Sequence, residues 1–351
     1  MNAPARRVTA LAGGVGAARM LSGLAAVVGQ PALAAVVNTG DDMVLHGLHI
    51  SPDLDTVTYT LAGAANPGTG WGLSGESWAV MASLREFEAT GPEPEAGRLT
   101  WFNLGDRDLA THLFRTSRLA SGAALSEVTA EVARRFGVQA RLLPMTDSRV
   151  ETRVTIEEPG GPGSFAGRFA GLPPAPQTPP ATPSGQVEIG FQEYFVGLHH
   201  AVAVKGVRFV GASSAVPAPG ALDAVEQADL VVICPSNPVG SIGPVLAVPG
   251  IADAVARRRE MTVAVSPIIA GKALKGPADR MLGELGHEMS AVGVARLWAP
   301  LAAALIVDTA DSDLAPRVEA EGTRCIVAPS VMSGPEQARH LAEVVLGAFT
   351  G

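Results

Sequence analysis

Short apolar, strand-like runs alternate along the chain with longer Ala- and Leu-rich stretches of helical period. This is the pattern of an α/β protein with a mainly parallel sheet. Arg7–Ala12 predicts a first strand, Gly13–Gly16 a glycine turn, and Ala17–Val28 a helix. Leu33–Asn38 predicts a second strand. Helices are expected over Asp53–Gly63, Glu76–Thr90, Asp108–Ser121 and Ser126–Phe136, with Leu109, Leu113 and Thr116 at helical spacing in the third. Arg141–Leu143 and Glu151–Ile156 are short strand candidates. Leu230–Cys234, Met261–Ser266, Leu305–Asp308 and Arg324–Ala328 continue the strand series, and Pro335–Ala348 predicts a closing helix.

The pattern is that of one large Rossmann-like α/β domain over residues 1–351, with a helical insertion around 53–136. Composition breaks it only at residues 158–185, a dense Pro/Gly/Ser/Thr tract. Such a tract cannot bury a core, so it reads as an exposed, mobile loop without chemistry. Apolar residues make up 47% of the chain and charged residues 17%, which excludes wholesale disorder. A net charge of −8 excludes a broad basic surface for duplex nucleic acid. No window approaches the roughly 18–20 continuous apolar residues of a membrane helix. Arg6-Arg7 and the run after them mimic a signal peptide, but Gly13-Gly14 and Arg19 interrupt it, so the chain reads as cytoplasmic. Cys234 and Cys325 lie in apolar strand-like runs and read as buried, reduced thiols.

Candidate chemistry gathers where strands end, the place where open parallel sheets bind ligands. Gly13-Gly14-Val15-Gly16 lies between a strand and a helix, so backbone N–H groups and the helix N-terminus can meet a phosphate. A tight turn kept for packing alone would look the same. Asn38-Thr39-Gly40-Asp41-Asp42 ends the second strand, and Ser51-Pro52-Asp53-Leu54-Asp55-Thr56 follows. Ser51 and Pro52 suit a helix start, which accounts for one carboxylate of the four. Four carboxylates so close to a phosphate-binding turn suit Mg²⁺, which binds one or two carboxylates plus substrate phosphates. His46 and His49 between the clusters are loop polarity or ligands.

Asn103-Leu104-Gly105-Asp106-Arg107-Asp108 enters a helix, where Asp106 can cap; the segment also suits the lip of a site. Pro235-Ser236-Asn237-Pro238, with Gly240-Ser241-Ile242-Gly243-Pro244 after it, ends a buried strand with rigid prolines, permissive glycines and hydroxyls, and suits nucleotide recognition. Lys272 and Lys275 follow Ser266-Pro267-Ile268-Ile269 and are phosphate partners or solvated charges. There is no Gly-x-Ser-x-Gly elbow, no His-Glu-x-x-His and no Cys-x-x-Cys, which argues against serine hydrolases and zinc enzymes.

In this order the motifs, with Leu104–His112 and Phe191-Gln192-Glu193-Tyr194-Phe195, resemble the 2-phospho-L-lactate transferase family of coenzyme F-420 biosynthesis. The resemblance runs from Gly13 to about Ala348, apart from the proline-rich tract, which looks longer than the family needs. It implies a phospho-hydroxyacid donor activated as a diphosphate with GMP; the acid is phospholactate, phosphoenolpyruvate or 3-phosphoglycerate. The terminal ribityl hydroxyl of the deazaflavin Fo attacks the acid-bearing phosphorus, GMP leaves, and the tail-less coenzyme results. The resemblance also implies a Mg²⁺ cofactor and a homodimer. By motif, Asp55 and Asn103 match deazaflavin contacts, and Asp41 and Asp42 match the acidic pair of metal and reaction. Asp41 and Asp55 are the expected Mg²⁺ ligands, with Asp42 or Asp53 next. Gly13, Gly14, Gly16, Ser236 and Asn237 are the expected nucleotide contacts.

Two other readings compete. A family of nucleotide-sugar-binding regulators resembles this chain in fold, but need not keep the Asp-Leu-Asp or Leu-Gly-Asp-Arg-Asp segments. A dinucleotide-dependent oxidoreductase would put Gly or Ala where Arg19 stands.

Overall fold

The computed structural model of the protein describes residues 6–90, 99–158 and 185–349. Its strands are β1 (Val8–Ala12), β2 (Leu33–Val37), β3 (Met43–Leu45), β4 (Leu48–Ile50), β5 (Arg141–Pro144), β6 (Glu151–Glu157) and β7 (Gln186–Gly190). They continue as β8 (Val204–Val210), β9 (Leu230–Ile233), β10 (Thr262–Val265), β11 (Ile268–Ile269), β12 (Lys272–Ala273), β13 (Ala304–Val307) and β14 (Arg324–Val327). Seven of them form one sheet in the order β14-β13-β10-β9-β1-β2-β5, and every pairing in it is parallel. Chain order reverses about β1, with β2 on one side and β9 on the other. That is the topological switch point of a Rossmann-like sheet.

The parallel strands are nearly continuous apolar runs because both of their faces are covered. Val8, Ala10, Ala12, Leu33, Ala35, Val37, Leu230 and Val232 point to one side. There they meet Met20, Leu21 and Leu24 of helix α1 (Gly14–Val28) and Leu54, Val57 and Leu61 of α2 (Pro52–Leu61). Leu11, Val36, Val231, Ile233, Ala264 and Leu305 point to the other, against the short helices Ala221–Glu226, Ile251–Arg257 and Ala291–Trp298.

Between β2 and β5 lie the antiparallel hairpin of β3 and β4, then α2, α3 (Ala79–Thr90), α4 (Asp108–Ala120) and α5 (Leu125–Arg135). Between β5 and β9 lies an antiparallel three-stranded sheet in the order β7-β6-β8. It packs around Val154, Ile156, Ile189, Phe191, Tyr194 and Val204. Only β6 of this sheet is legible in the sequence pattern. The proline-rich tract separates β6 from β7; its flanks meet through Glu158 N–H donating to Gly185 O at 2.9 Å, and the expectation of a mobile loop falls on residues outside the described ones. Cys234 is buried as expected, whereas Cys325 is only half-buried because β14 is the sheet edge. Among the described residues no single helix is long and apolar enough to cross a membrane.

Helix α4 corrects the expected pattern. Leu113, placed on the apolar face by its spacing, is 57% exposed, and Phe114 is exposed beside it. The buried stripe is polar: Asp108, Thr111, His112 and Arg115. The helix turns this way because α2 offers Asp55 and Tyr59 as partners, and a buried charge must be paired.

The closing helix Pro335–Gly347 crosses α1 so closely that a Cβ on Gly23 would run into the carbonyl oxygen of Ala338. Helix propensity alone favours alanine over glycine by about 1 kcal/mol. Gly23→Ala is nevertheless expected to lower stability by about 1–3 kcal/mol, because overpacking outweighs it. An unmoved midpoint in chemical denaturation would rule out this crossing.

Candidate functional site

Three chain segments meet at the carboxyl ends of β1, β2 and β9. The first is the glycine turn that opens α1. A Cβ on Gly13 would stand 2.7 Å from Ser241 Cβ and 2.8 Å from Asp53 Oδ2, and one on Gly16 would stand 2.6 Å from Pro235 O. Gly14 has φ +73°, the region glycine enters without steric cost. Side chains are thus excluded where the loop after β9 closes on the turn. The Gly13 N–H donates to Ser236 Oγ at 3.3 Å. Arg19 leaves the site altogether and donates to Met332 O.

The second segment is the acidic loop after β2. Asn38, fully buried, joins this loop to α2. Its Nδ2 donates to Asp53 Oδ2 at 2.9 Å, and its Oδ1 accepts from Gly40 N–H at 2.8 Å. Ser51 was expected to cap α2. Its side chain makes no cap bond and instead donates to Asp42 Oδ2 at 2.6 Å. Asp41 Oδ1, Asp42 Oδ1, Thr39 Oγ1 and Thr152 Oγ1 are buried with no partner. Thr152 joins them because its N–H donates to Gly40 O, which draws β6 against the loop.

These carboxylates are crowded. Burial, then the Asp53 charge, push the Asp41 carboxyl well above the ordinary range against the pull of Asn38. Burial likewise pushes Asp42 well up, despite the Ser51 hydroxyl and the Arg115 charge. Asp53 is driven by burial to about 6, with Asn38 and the Gly14 N–H pulling back. Buried carboxyl oxygens beside unpartnered hydroxyls are a fitting donor set for a hard divalent cation, which takes oxygen ligands.

Asp55 points elsewhere. Both of its oxygens are held by the Arg115 guanidinium, and His112 Nδ1 stands 3.8 Å away. The carboxylates pressing on Asp41 are therefore Asp53 and Asp42. Asp55 belongs to a second buried network, in which Tyr59 donates to Asp108 and lies 2.8 Å from Thr111 Oγ1, and His112 Nε2 lies 3.4 Å from Asp108 Oδ2. Burial opposes the charge on Asp108, but His112, Tyr59 and Arg115 together hold its carboxyl below the ordinary range. Asp55, Asp108 and His112 bring three metal-type atoms within 4.8 Å of one another, but Arg115 already supplies the counter-charge there.

The remaining expected residues are dispersed. Asn103 is exposed, and its Oδ1 accepts from Arg85 at 2.8 Å. Asn237 Oδ1 caps the next turn by accepting from Val239 and Gly240 N–H, so at least that oxygen has a structural partner. His46 donates to Leu99 O through Nε2, and the His49 imidazole is held below its ordinary value by burial, then by Arg149 and Arg115. Asp106 caps α3 rather than α4. It accepts from Ser77 Oγ and from Ala79 and Val80 N–H, which starts α3 at Ala79 rather than Glu76 and holds the Asp106 carboxyl down. Sequence reasoning missed Thr152, Tyr59 and Arg115. The signal for Arg115 was the polar spacing of residues 108, 112 and 115 on one helix face.

Asp53 yields a pH prediction for the metal-free protein. Its proton is bound more tightly in the folded state (about 6) than in the unfolded chain (3.8). The stability it contributes is therefore complete below about pH 4 and lost as pH rises through about 6. Asp53→Asn, which cannot ionise, should melt above the parent protein at about pH 7.5 and lose that advantage at about pH 4. A parent protein melting higher at both values would mean that burying the Asp53 charge carries no cost.

The similarities to other proteins bear on the fold and the family. Two solved structures of a UPF0052-family member from Bacillus halodurans superpose with a TM-score of 0.56 at 16% and 15% identity, each covering 97% of this chain and 99% of the other, a likeness of fold. A phosphoenolpyruvate transferase of Kitasatospora aureofaciens is 43% identical over 342 residues, 97% of each chain. One of Streptomyces griseus is 40% identical over 341 residues, again 97% of each, and one of Mycobacterium bovis is 38% identical over 94% of each. A sequence profile described as 2-phospho-L-lactate transferase CofD matches residues 8–330. The chain belongs to the 2-phospho-L-lactate transferase CofD family and is a transferase.

Proposed function

We propose that the protein transfers an enolpyruvyl-phosphate group from a GMP-activated diphosphate donor to the terminal ribityl hydroxyl of the deazaflavin Fo. The observation that carries this reading is the convergence of unpartnered buried carboxyl oxygens on Asp41 and Asp42 beside a glycine turn at the switch point. The choice of acid follows the relatives named phosphoenolpyruvate transferase.

The residues divide the work by chemistry. The N–H groups of Val15 and Gly16, at the N-terminus of α1, suit the diphosphate, while those of Gly13 and Gly14 serve Ser236 and Asp53. Asp41, Asp42 and Asp53 are the proposed holders of Mg²⁺, with the Thr39 and Thr152 hydroxyls in reach of the same loop. Mg²⁺, when bound, supplies charge neutralisation for the phosphates. The acceptor oxygen forms a bond to the acid-bearing phosphorus as the bond from that phosphorus to the GMP oxygen breaks. The hydroxyl proton passes to a carboxyl oxygen of this set that is not bound to Mg²⁺. Asn103 is exposed and available to the acceptor, whereas Asp55 is buried with both oxygens already accepting from Arg115.

Incubation with Fo, Mg²⁺ and each of the three GMP-activated acids tests the reading directly. Mass spectrometry should find Fo joined to one phospho-acid, with the enolpyruvyl form dominant and GMP released. Absence of product from every donor would overturn it.

Asp41→Asn separates metal binding from folding. Turnover should fall by roughly two orders of magnitude or more. The rise in melting temperature that Mg²⁺ gives the parent protein by binding its folded state should vanish in the variant. A variant still stabilised by Mg²⁺ to the same extent would remove Asp41 from the ligand set.

A further inference from the structure

The segment from Gly63 to Trp78 leaves the carboxyl end of α2 and returns to α3, and it is braced at both ends. Ala65 bridges Leu73, and Ser74 N–H donates to Ala64 O. At its far end the Glu76 carboxylate accepts from Arg107 and Asp108 N–H at 2.7 and 2.9 Å, and a Cβ on Gly105 would collide with it. Arg107 also donates to Ser74 O. The Leu104–Asp108 motif thus acts first as a clamp on this segment.

The tip of the segment leans over the glycine turn. A Cβ on Gly70 would stand 3.1 Å from Val15 Cγ1 and 3.6 Å from Lys275 Nζ, and Lys275 Nζ donates to Thr69 O. The next residue is Trp71, 40% exposed. Its ring meets that of Trp78, 36% exposed, edge-on at 6.4 Å and 75°. Two indoles are thus exposed side by side on a braced segment. A fixed, edge-supported indole is a face on which a flat ring stacks.

We propose that Trp71, steadied by Trp78, is the stacking face for a flat heterocyclic ring of one of the two substrates. The inference rests on the transferase reading above, in which both substrates carry such a ring: the deazaflavin of the acceptor and the guanine of the donor. Lys275 beside the tip offers a charge to a phosphate of the donor if the ring is the donor's guanine.

The test measures binding of Fo and of GMP separately, by calorimetry, to the parent protein and to Trp71→Ala, Trp71→Leu and Trp71→Phe. Ala and Leu should weaken one ligand by about tenfold, and Phe should restore most of the loss, because the face and not the bulk is needed. The ligand that weakens names the ring. Unchanged binding of both ligands in all three variants overturns the proposal, and so does Leu restoring binding as well as Phe. A parent protein that binds neither ligand overturns the transferase reading and this inference with it. A parent protein that makes product while Trp71→Ala binds both substrates normally overturns the inference alone.

Discussion

Like charges buried together at the carboxyl ends of β1 and β2 are the constraint around which the rest of the protein is arranged. Three aspartates share a corner in which burial opposes the charge of each. Asn38 makes the corner stable enough to exist, because one amide serves the Asp53 carboxylate with its nitrogen and the acidic loop with its oxygen. The sheet topology supplies the location. Only at the switch point do two neighbouring strands send their connections in opposite directions and leave a crevice between them. The glycines of the turn keep that crevice open to backbone rather than side chains.

Behind this corner lies a second polar layer with the opposite balance. Arg115, Asp55, Asp108, His112 and Tyr59 are buried, but each charge has a partner. The layer joins α2, which carries Asp53, to α4, whose first residues hold the Glu76 carboxylate. The segment bearing Trp71 and the helix bearing Asp53 are therefore fixed to one frame. A transferase that works by positioning and neutralising charge needs such a frame more than it needs a nucleophile.

Much of the sheet was legible in the sequence because parallel strands buried on both faces are apolar without interruption. The strand ends then placed the glycine turn, Asp41, Asp42 and Asp53 in one neighbourhood. What could not be read follows from distance along the chain. The partner of Asp55 lies 60 residues later, and Thr152, on the legible strand β6, meets Gly40 of a loop far back along the chain. Local rules also misassigned caps. Ser51 and Asp106 have the right chemistry to cap the helix that follows each, yet Ser51 serves Asp42 and Asp106 serves α3. The orientation of α4 failed for a related reason. Periodicity identifies two faces of a helix, and the apolar one is the inner face only when no buried charge elsewhere requires the polar one.

The Asp55–Arg115 pair has a consequence for how this protein can change over generations. Each half alone is an uncompensated buried ion, so neither position can drift while the other stands still. Replacement of both by apolar residues is chemically open, but every single-step route to it crosses a poorly folding intermediate. The two positions form a ratchet. Lineages that inherit the pair are expected to keep it whether or not it improves the reaction.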